Sequence, residues 1–216
     1  MSTEPVHAHP VHPQPVHPHP VHKDYQGSKL GMWLFLFTEI LLFGGLFLLY
    51  SVYRATYPLD FRAGGQHLNT FIGVANTVIL LTSSLTVALA ISAMQKGNRK
   101  LTMACLGITI AFALMFLVNK YIEWTGEIGR GIYPNGPALL KLPNGEKIFY
   151  GLYYCMTGLH GLHVLAGVIA LSIVLDFVRR GKITGTDFIK LENVGLYWHL
   201  VDVIWIFLLP LLYLAA

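Results

Sequence analysis

Five long apolar runs, separated by short polar segments, dominate the chain: about residues 30–53, 69–94, 101–123, 148–178 and 193–215. Each run exceeds the roughly 20 residues that an α-helix needs to cross about 30 Å of hydrocarbon. Because lipid offers backbone groups no hydrogen-bond partner, spans of this kind must be helical. The pattern predicts an all-α integral membrane protein, with five transmembrane helices in a bundle over residues 29–216.

A different pattern precedes the first run. In residues 1–28 the tripeptide Pro-Val-His recurs from residues 5, 10, 15 and 20. Proline at this density precludes a helix or a sheet, so an extended, disordered arm is predicted. Its histidines could form a tolerated polar linker or weakly chelate Cu²⁺, Ni²⁺ or Zn²⁺; they are His7, His9, His12, His17, His19 and His22.

Composition agrees with membrane insertion and excludes other classes of protein. Hydrophobic residues make up 54% of the 216 residues, charged residues make up 12%, and the mean hydropathy is +0.55. These values are typical of a membrane protein and not of a soluble domain. The net charge of +4 comes from basic residues in short loops, which argues against nucleic-acid binding. Cys105 and Cys155 lack zinc spacing and are expected to be small buried hydrophobic residues.

The distribution of Lys and Arg predicts the orientation of the chain. Because cytoplasmic loops carry an excess of basic residues, the richer side is expected to be cytoplasmic. Six basic residues lie on the other side or near it, and nine lie on the side that holds the N-terminus: Lys23, Lys29, Lys96, Arg99, Lys100, Arg179, Arg180, Lys182 and Lys190. The N-terminus is therefore predicted to be cytoplasmic and the C-terminus to be outside. The longest loop, 124–147, then lies outside, and its "YPNGP" and "LPNGE" indicate turns.

One carboxylate, Glu39, falls ten residues into the first run. An ionisable group at such depth is costly, so it requires a physical reason. Two interpretations stay open: a proton-linked carboxylate, or a protonated or hydrogen-bonded glutamate that packs against another helix. The glycine pair at 44–45 would let a neighbouring backbone approach closely, which favours a packed helix face.

Other polar groups share helix faces. Lys120 and Glu123 lie three residues apart near the outer end of the third run, where they can pair. Trp124 beside them is typical of a membrane interface, so anchoring is the simplest interpretation. The second run is rich in amides and hydroxyls, which in membranes join helices more often than they catalyse reactions: Asn76, Thr77, Thr82, Ser83, Ser84 and Thr86.

Three histidines lie within the predicted spans. His160 and His163 are one turn apart in "GLHGLHVLAG", and His199 is one turn before Asp202. Such pairs could ligate a metal or relay protons. Three histidines without a cysteine pair or a His–Met set are too few for a haem pair or a copper centre. Hydrogen-bonded histidines that fix helix or lipid contacts are expected, with no metal in the membrane domain. Small residues around the first pair favour tight packing: Gly158, Gly161 and Gly167.

Taken in order, these segments resemble one family, subunit III of the haem–copper cytochrome oxidases. Its motifs are matched at 31–47, 76–86, 120–124, 157–167 and 192–208, so that the resemblance covers about residues 29–214. The family's intramembrane carboxylate falls on Glu39. Many members have seven spans, and the first two are absent here. Lys120 replaces the family's glutamine, and the histidine arm is not part of the family pattern.

The resemblance implies an accessory role in a bacterial cytoplasmic membrane. Subunit III binds no haem or copper, which belong to partner subunits. It packs against oxidase subunits I and II, binds phospholipid, and supports proton uptake in aerobic respiration. The complex passes electrons from cytochrome c to oxygen and translocates protons. The implied enzyme is this whole complex, and no catalytic centre is expected in the chain itself.

Two alternatives remain at this point. A quinol oxidase or a nitric oxide reductase partner would keep the family and change the complex, because nothing in the chain indicates the electron donor. An ion or metal transporter would use Glu39, His160, His163, His199 and Asp202 as a pathway. No inverted repeat or pair of broken helices supports a transporter.

Overall fold

The computed structural model describes residues 25–214 of the chain. This part contains no strand. Its α-helices are α1 (Tyr25–Thr56), α2 (Pro58–Gln66), α3 (Thr70–Gln95), α4 (Arg99–Gly129), α5 (Asn144–Arg179) and α6 (Ile189–Leu209), and a short 3₁₀ helix, Leu139–Lys141, precedes α5. A π-helical turn, Pro210–Leu214, continues α6. All except α2 are long and apolar enough to cross a membrane, which confirms the predicted five-span fold. The arm histidines lie outside the described residues: His7, His9, His12, His17, His19 and His22.

Helix α1 begins before the predicted apolar run. Residues 25–28, assigned to the arm from sequence, form its first turn because the last proline of the repeat lies at residue 20. The Tyr25 hydroxyl donates to the Asp187 carboxylate at 3.3 Å, and Lys29 pairs with Glu192 at 2.9 Å. These contacts hold the start of α1 against the segment that leads into α6 and against α6 itself.

Capping residues set the start of α3 and of α4. The side-chain oxygen of Asn69 accepts a hydrogen bond from the Ile72 amide at 3.3 Å, and that of Asn98 accepts one from the Leu101 amide at 3.1 Å. Asparagine is a preferred N-cap because its oxygen satisfies an amide that has no partner within the helix. Gly97, with φ +72°, supplies the left-handed residue that closes the tight turn between the two helices.

The outer loops differ in part from the prediction. "YPNGP" does form a turn, with Asn135 at φ +65°, but the "LPNGE" segment starts α5 at Asn144. The Gly145 amide donates to the Asp60 carboxylate at 3.1 Å, and a Cβ at Gly145 would lie 2.6 Å from that of Tyr57. Glycine thus lets α2 lie against the start of α5. The sequence of α2 is too polar for hydropathy to predict this helix.

The spanning helices form a ring of four with a fifth outside. α3 packs on α4, α4 on α5, α5 on α6, and α6 returns to α3, whereas α1 lies outside this ring against α5 and α6. Only Leu36, Phe43 and Tyr50 of α1 are buried, at intervals of seven residues, or about two turns. The remaining faces of α1 carry exposed apolar side chains, as expected of a helix surrounded by lipid.

Two tryptophans of α6 join three helices. Trp198 packs against Gly167 of α5, where a Cβ would lie 2.7 Å from the indole ring, and its Nε1 donates to the Ser83 hydroxyl of α3 at 3.0 Å. Trp205 Nε1 donates to the Thr77 hydroxyl of α3, also at 3.0 Å. Each large ring therefore finds its polar partner on the neighbouring helix.

The glycines of α5 do not form the single face expected from sequence. A Cβ at Gly158 would lie 3.1 Å from the Trp124 ring, and Gly167 faces Trp198. These glycines are nine residues apart, which at 3.6 residues per turn puts them on opposite sides of the helix. Gly161 has open space where its Cβ would be.

Two further expectations were wrong. A Cβ at Gly44 or at Gly45 would meet no group of residues 25–214 within 4 Å, so no other helix of this part of the chain packs closely on the glycine pair of α1. Cys105 is buried, as expected, but Cys155 is exposed. The structure places Cys155 on the outer face of α5, where an apolar thiol can contact lipid.

Gly167→Ala should destabilise the bundle by about 1–3 kcal/mol, since the added methyl group overpacks against Trp198. Gly161→Ala is the matched control on the same helix and should be neutral, because its Cβ enters open space. Thermal unfolding of both variants in the same detergent checks the difference. Equal melting temperatures for the two variants would contradict the described packing of α5 against α6.

Candidate functional site

A carboxylate and an imidazole link α1 to α5 within the membrane. His163 Nε2 lies 2.8 Å from Glu39 Oε2, and His163 Nδ1 lies 2.8 Å from the Leu159 carbonyl oxygen, one turn earlier in α5. The Phe43 ring packs edge-on to the imidazole at 5.3 Å between centroids. The side chains of Glu39 and His163 keep only 14% and 16% of their surface exposed, respectively. We call these two residues the Glu39–His163 pair.

The hydrogen bonds of this pair constrain where its protons lie. A carbonyl oxygen can only accept, so His163 Nδ1 must carry a hydrogen. His163 Nε2 then either accepts from a protonated Glu39 or donates to its carboxylate. Both arrangements hold one proton in the 2.8 Å hydrogen bond between α1 and α5, as a neutral pair or as an ion pair. The geometry therefore suits the pair to hold a transferable proton.

His160 has a quite different environment, although it lies one turn away on the same helix. It is completely buried, with the Phe116 ring edge-on at 5.5 Å and the Trp205 ring at 5.2 Å between centroids. Sequence analysis expected both histidines to be hydrogen bonded. Neither ring nitrogen of His160 has a hydrogen-bond partner among the described residues, because the surrounding side chains are aromatic.

The second group of polar side chains connects α4, α5 and the turn after α6. Lys120 and Glu123 form an ion pair at 3.2 Å, and both are buried. The Lys120 ammonium donates to the Tyr213 hydroxyl at 2.9 Å and to the Tyr153 hydroxyl at 3.2 Å. Both tyrosines donate to Glu123 Oε1, at 2.5 Å from Tyr213 and at 2.7 Å from Tyr153. We call these four residues the Lys120 cluster.

The Lys120 cluster is more than the interfacial anchor that was the simplest interpretation of the sequence. The ammonium also lies 5.5 Å from the centre of the Trp205 ring, within range of a cation–π interaction. A buried ion pair needs further hydrogen bonds to offset the loss of hydration, and the two hydroxyls supply them. The cluster therefore fixes the relative positions of three helices by charge and by geometry together.

The residues on α3 interact chiefly with α6 and α4. His199 Nδ1 lies 2.5 Å from the Ser84 hydroxyl. The Asp202 carboxylate is buried beside Ser84, yet it receives no hydrogen bond of normal geometry from residues 25–214 and none from His199. The Asn76 side-chain oxygen accepts from the Asn119 amide at 2.8 Å. His199 and Asp202 thus form neither of the paired arrangements considered from sequence.

Several members of these groups were not predicted. Tyr153 and Tyr213 complete the Lys120 cluster, and Trp205 packs beside it, but tyrosine and tryptophan near helix ends usually indicate membrane interfaces. Asn119 of α4 was the one amide in the third run, and its position next to Lys120 was the available signal. In residues 25–214 no three His, Cys, Asp or Glu side chains are grouped so that they could hold a metal ion.

Comparison with known proteins identifies relatives. The profile of a family described as cytochrome c oxidase subunit III matches residues 14–216. The chain is 34% identical to cytochrome c oxidase subunit 3 of Allomyces macrogynus over 84% of its own length and 64% of that protein, slightly under two thirds. It is 30% identical to cytochrome bo(3) ubiquinol oxidase subunit 3 of Pseudomonas putida, over 88% of its length and 87% of the relative's. A heme-copper oxidase subunit I+III of Aeropyrum pernix is 30% identical, over 85% of this chain and 22% of the length of the Aeropyrum protein.

Removing either charge of the Lys120 cluster should be costly. Lys120→Met or Glu123→Gln alone should destabilise the bundle by about 3–5 kcal/mol, because the remaining buried charge loses its partner. The double variant should cost clearly less than the sum, and denaturant unfolding in detergent measures this coupling.

The exposed i,i+4 pair at the end of α5, Asp176 and the following C-cap residue Arg180 at 2.7 Å, is the matched control. Asp176→Asn and Arg180→Met should each change stability by less than about 1 kcal/mol. Strict additivity of Lys120→Met and Glu123→Gln would contradict the assignment of the cluster as a coupled unit.

Proposed function

Because the chain belongs to the cytochrome c oxidase subunit III family, we propose that it is the accessory, non-redox subunit III of a bacterial cytochrome c oxidase. The match over residues 14–216, together with five spanning helices, is the observation that carries this proposal. The chain would lie in the cytoplasmic membrane with its N-terminus in the cytoplasm and its C-terminus outside. Cytochrome c is the proposed electron donor of the complex.

In this proposal, the chain packs against subunits I and II, which hold the haem and the copper. The name of the Aeropyrum relative, subunit I+III, joins the two kinds of subunit in one protein and supports contact with subunit I. The exposed apolar faces of α1 suit contact with phospholipid or with helices of other subunits. The chain therefore contributes stability and lipid binding to the complex.

We also propose that the Glu39–His163 pair supports proton uptake by the oxidase. It is the one carboxylate–imidazole hydrogen bond between spanning helices in residues 25–214. The pair is partly exposed at the surface of the bundle, whereas the Lys120 cluster is enclosed, so polar groups of a partner subunit packed against α1 can extend a proton path to the pair. Proton uptake would then use the Glu39–His163 hydrogen bond between α1 and α5.

A quinol oxidase is the second candidate. The Pseudomonas relative bears the name of a ubiquinol oxidase subunit and resembles the chain about as closely as the cytochrome c oxidase relatives do. No described side chain of this chain recognises either donor. The choice depends on the partner subunits.

Purification of the chain from its native membrane in mild detergent should recover subunits that carry haem. A haem spectrum and copper in the recovered complex would follow from membership in an oxidase, and oxidation of reduced cytochrome c or of quinol would separate the two candidates. Recovery of the chain alone, as a monodisperse protein without haem, would contradict the proposed function.

Glu39→Gln should leave the complex assembled and shorten its active lifetime during turnover, most strongly at higher pH. The glutamine amide can still hydrogen-bond to His163, but it cannot bind and release a proton, and protons are scarcest at high pH. Oxygen consumption followed to inactivation at several pH values provides the measurement.

Asp202→Asn is the matched control, because it removes a second buried carboxylate of the spans that has no imidazole partner. Its lifetime should equal that of the unmodified complex. Equal lifetimes for Glu39→Gln and the unmodified complex at every pH would assign Glu39 to packing alone.

A further inference from the structure

A cleft opens where the end of α1 meets α2 and the turn after α6. Its volume is about 670 Å³, which lies within the range of small-molecule sites. Tyr50 forms its floor, completely buried, and donates to the Leu211 carbonyl oxygen. The lining of the cleft includes Tyr50, Ser51, Arg54, Leu59, Arg62 and Leu214.

The two arginines give the cleft its charge. Arg54 is partly buried near the end of α1 and Arg62 is exposed on α2. No acidic residue lines the cleft, and neither arginine has an ion-pair partner within residues 25–214. A guanidinium is the side chain best suited to bind phosphate, because it can donate two parallel hydrogen bonds. Two guanidinium groups without an ion-pair partner in residues 25–214, beside one cleft, therefore favour an anionic ligand.

The depth of the cleft matches that of lipid headgroups. Glu39 lies near the middle of α1, and Arg54 is fifteen residues further along. At 1.5 Å per residue, Arg54 lies roughly 22 Å from the middle of the helix. The hydrocarbon half-thickness is about 15 Å and the headgroup region ends at about 20–22 Å. Arg54 thus lies at the outer limit of the headgroup region when α1 is centred in the bilayer, and its long side chain can reach a phosphate group.

The apolar side chains at the cleft complete an amphiphilic site. Leu59 and Leu214 expose 79% and 58% of their surface. An exposed leucine at the membrane end of a bundle is satisfied by an acyl chain, whereas an acidic protein segment would leave it in contact with polar groups. The combination of two guanidinium groups with exposed leucines fits a lipid better than a soluble anion or an acidic peptide.

We propose that this cleft binds the headgroup of one anionic phospholipid, with Arg54 and Arg62 on its phosphate and an acyl chain along Leu59 and Leu214. The site is separate from the Glu39–His163 pair, which lies about four turns away on α1. The proposal deepens the lipid binding of the proposed function and rests on it. It does not depend on the identity of the electron donor.

Native mass spectrometry of the delipidated, detergent-purified complex tests the site by titration with phosphatidylglycerol and, separately, with phosphatidylcholine. Arg54→Gln combined with Arg62→Gln should weaken phosphatidylglycerol binding about thirtyfold and remove one bound lipid, since each basic residue near a membrane contributes roughly a fivefold preference for anionic lipid. Phosphatidylcholine binding should not change. Arg54→Lys with Arg62→Lys should retain part of the affinity, because the charge remains and the bidentate hydrogen bonds are lost.

Lys141→Gln combined with Lys147→Gln is the matched control, because it removes the same charge at the same membrane end outside the cleft. It should bind phosphatidylglycerol like the unmodified complex. Equal lipid binding by the Arg54→Gln, Arg62→Gln variant would overturn the proposal. Displacement of the lipid by inorganic phosphate at equal concentration would overturn the proposal in favour of a simple anion site. Loss of a protein subunit, and not of lipid, from the Arg54→Gln, Arg62→Gln variant would overturn it in favour of a protein interface.

If co-purification finds no oxidase subunit, the same titration is performed on whatever assembly contains the full chain. The proposed function then fails while the lipid site is still tested. Retention of one phosphatidylglycerol per chain, lost only with the two arginines, would support the site in that assembly as well.

Discussion

The exclusion of water from the bilayer is the constraint on which the rest of this structure depends. A charged or strongly polar side chain inside a span is stabilised by a partner within the protein, often on another helix, since lipid supplies none. Lys120 and Glu123 of α4 find theirs in Tyr153 of α5 and Tyr213 beyond α6. Each such contact fixes the rotation and the depth of two or more helices. Polar side chains thus determine one arrangement among the many that apolar surfaces alone would permit.

Helix α1 shows how the same constraint leads from structure to function. It lies outside the ring of four and buries few side chains, so its position depends on a small number of contacts. Beyond the first turns of α1, the polar contacts to other helices include the Glu39–His163 hydrogen bond and the one from Tyr50 to the Leu211 carbonyl oxygen. The Glu39–His163 hydrogen bond holds a proton between two helices, and Tyr50 forms the floor of the cleft beside Arg54 and Arg62. The contacts that hold α1 in place therefore also supply the groups that can hold a proton or line a binding site.

The length of the apolar runs was sufficient to predict the five spans, and the cost of burying charge directed attention to Glu39, Lys120 and Glu123, each of which the structure places in a polar contact. The pairing of Lys120 with Glu123 could be predicted from their spacing, but partners on other helices could not, because contacts between distant helices leave no periodic signal in one sequence. His160 and His163 illustrate the limit: one turn apart, they face an aromatic core and α1, respectively. Hydropathy also missed α2, whose position depends on the close approach of Asp60 to Gly145.

Deletion of this chain from its native host tests the central claim, an accessory role without a redox centre, most directly. The measurement is the haem spectrum of the membranes, together with the initial rate and the active lifetime of oxygen consumption by the remaining oxidase. The account predicts an unchanged spectrum and initial rate per haem, with a lifetime shortened severalfold. An oxidase with unchanged lifetime, or one that has lost a haem or copper signal held by this chain, would contradict it.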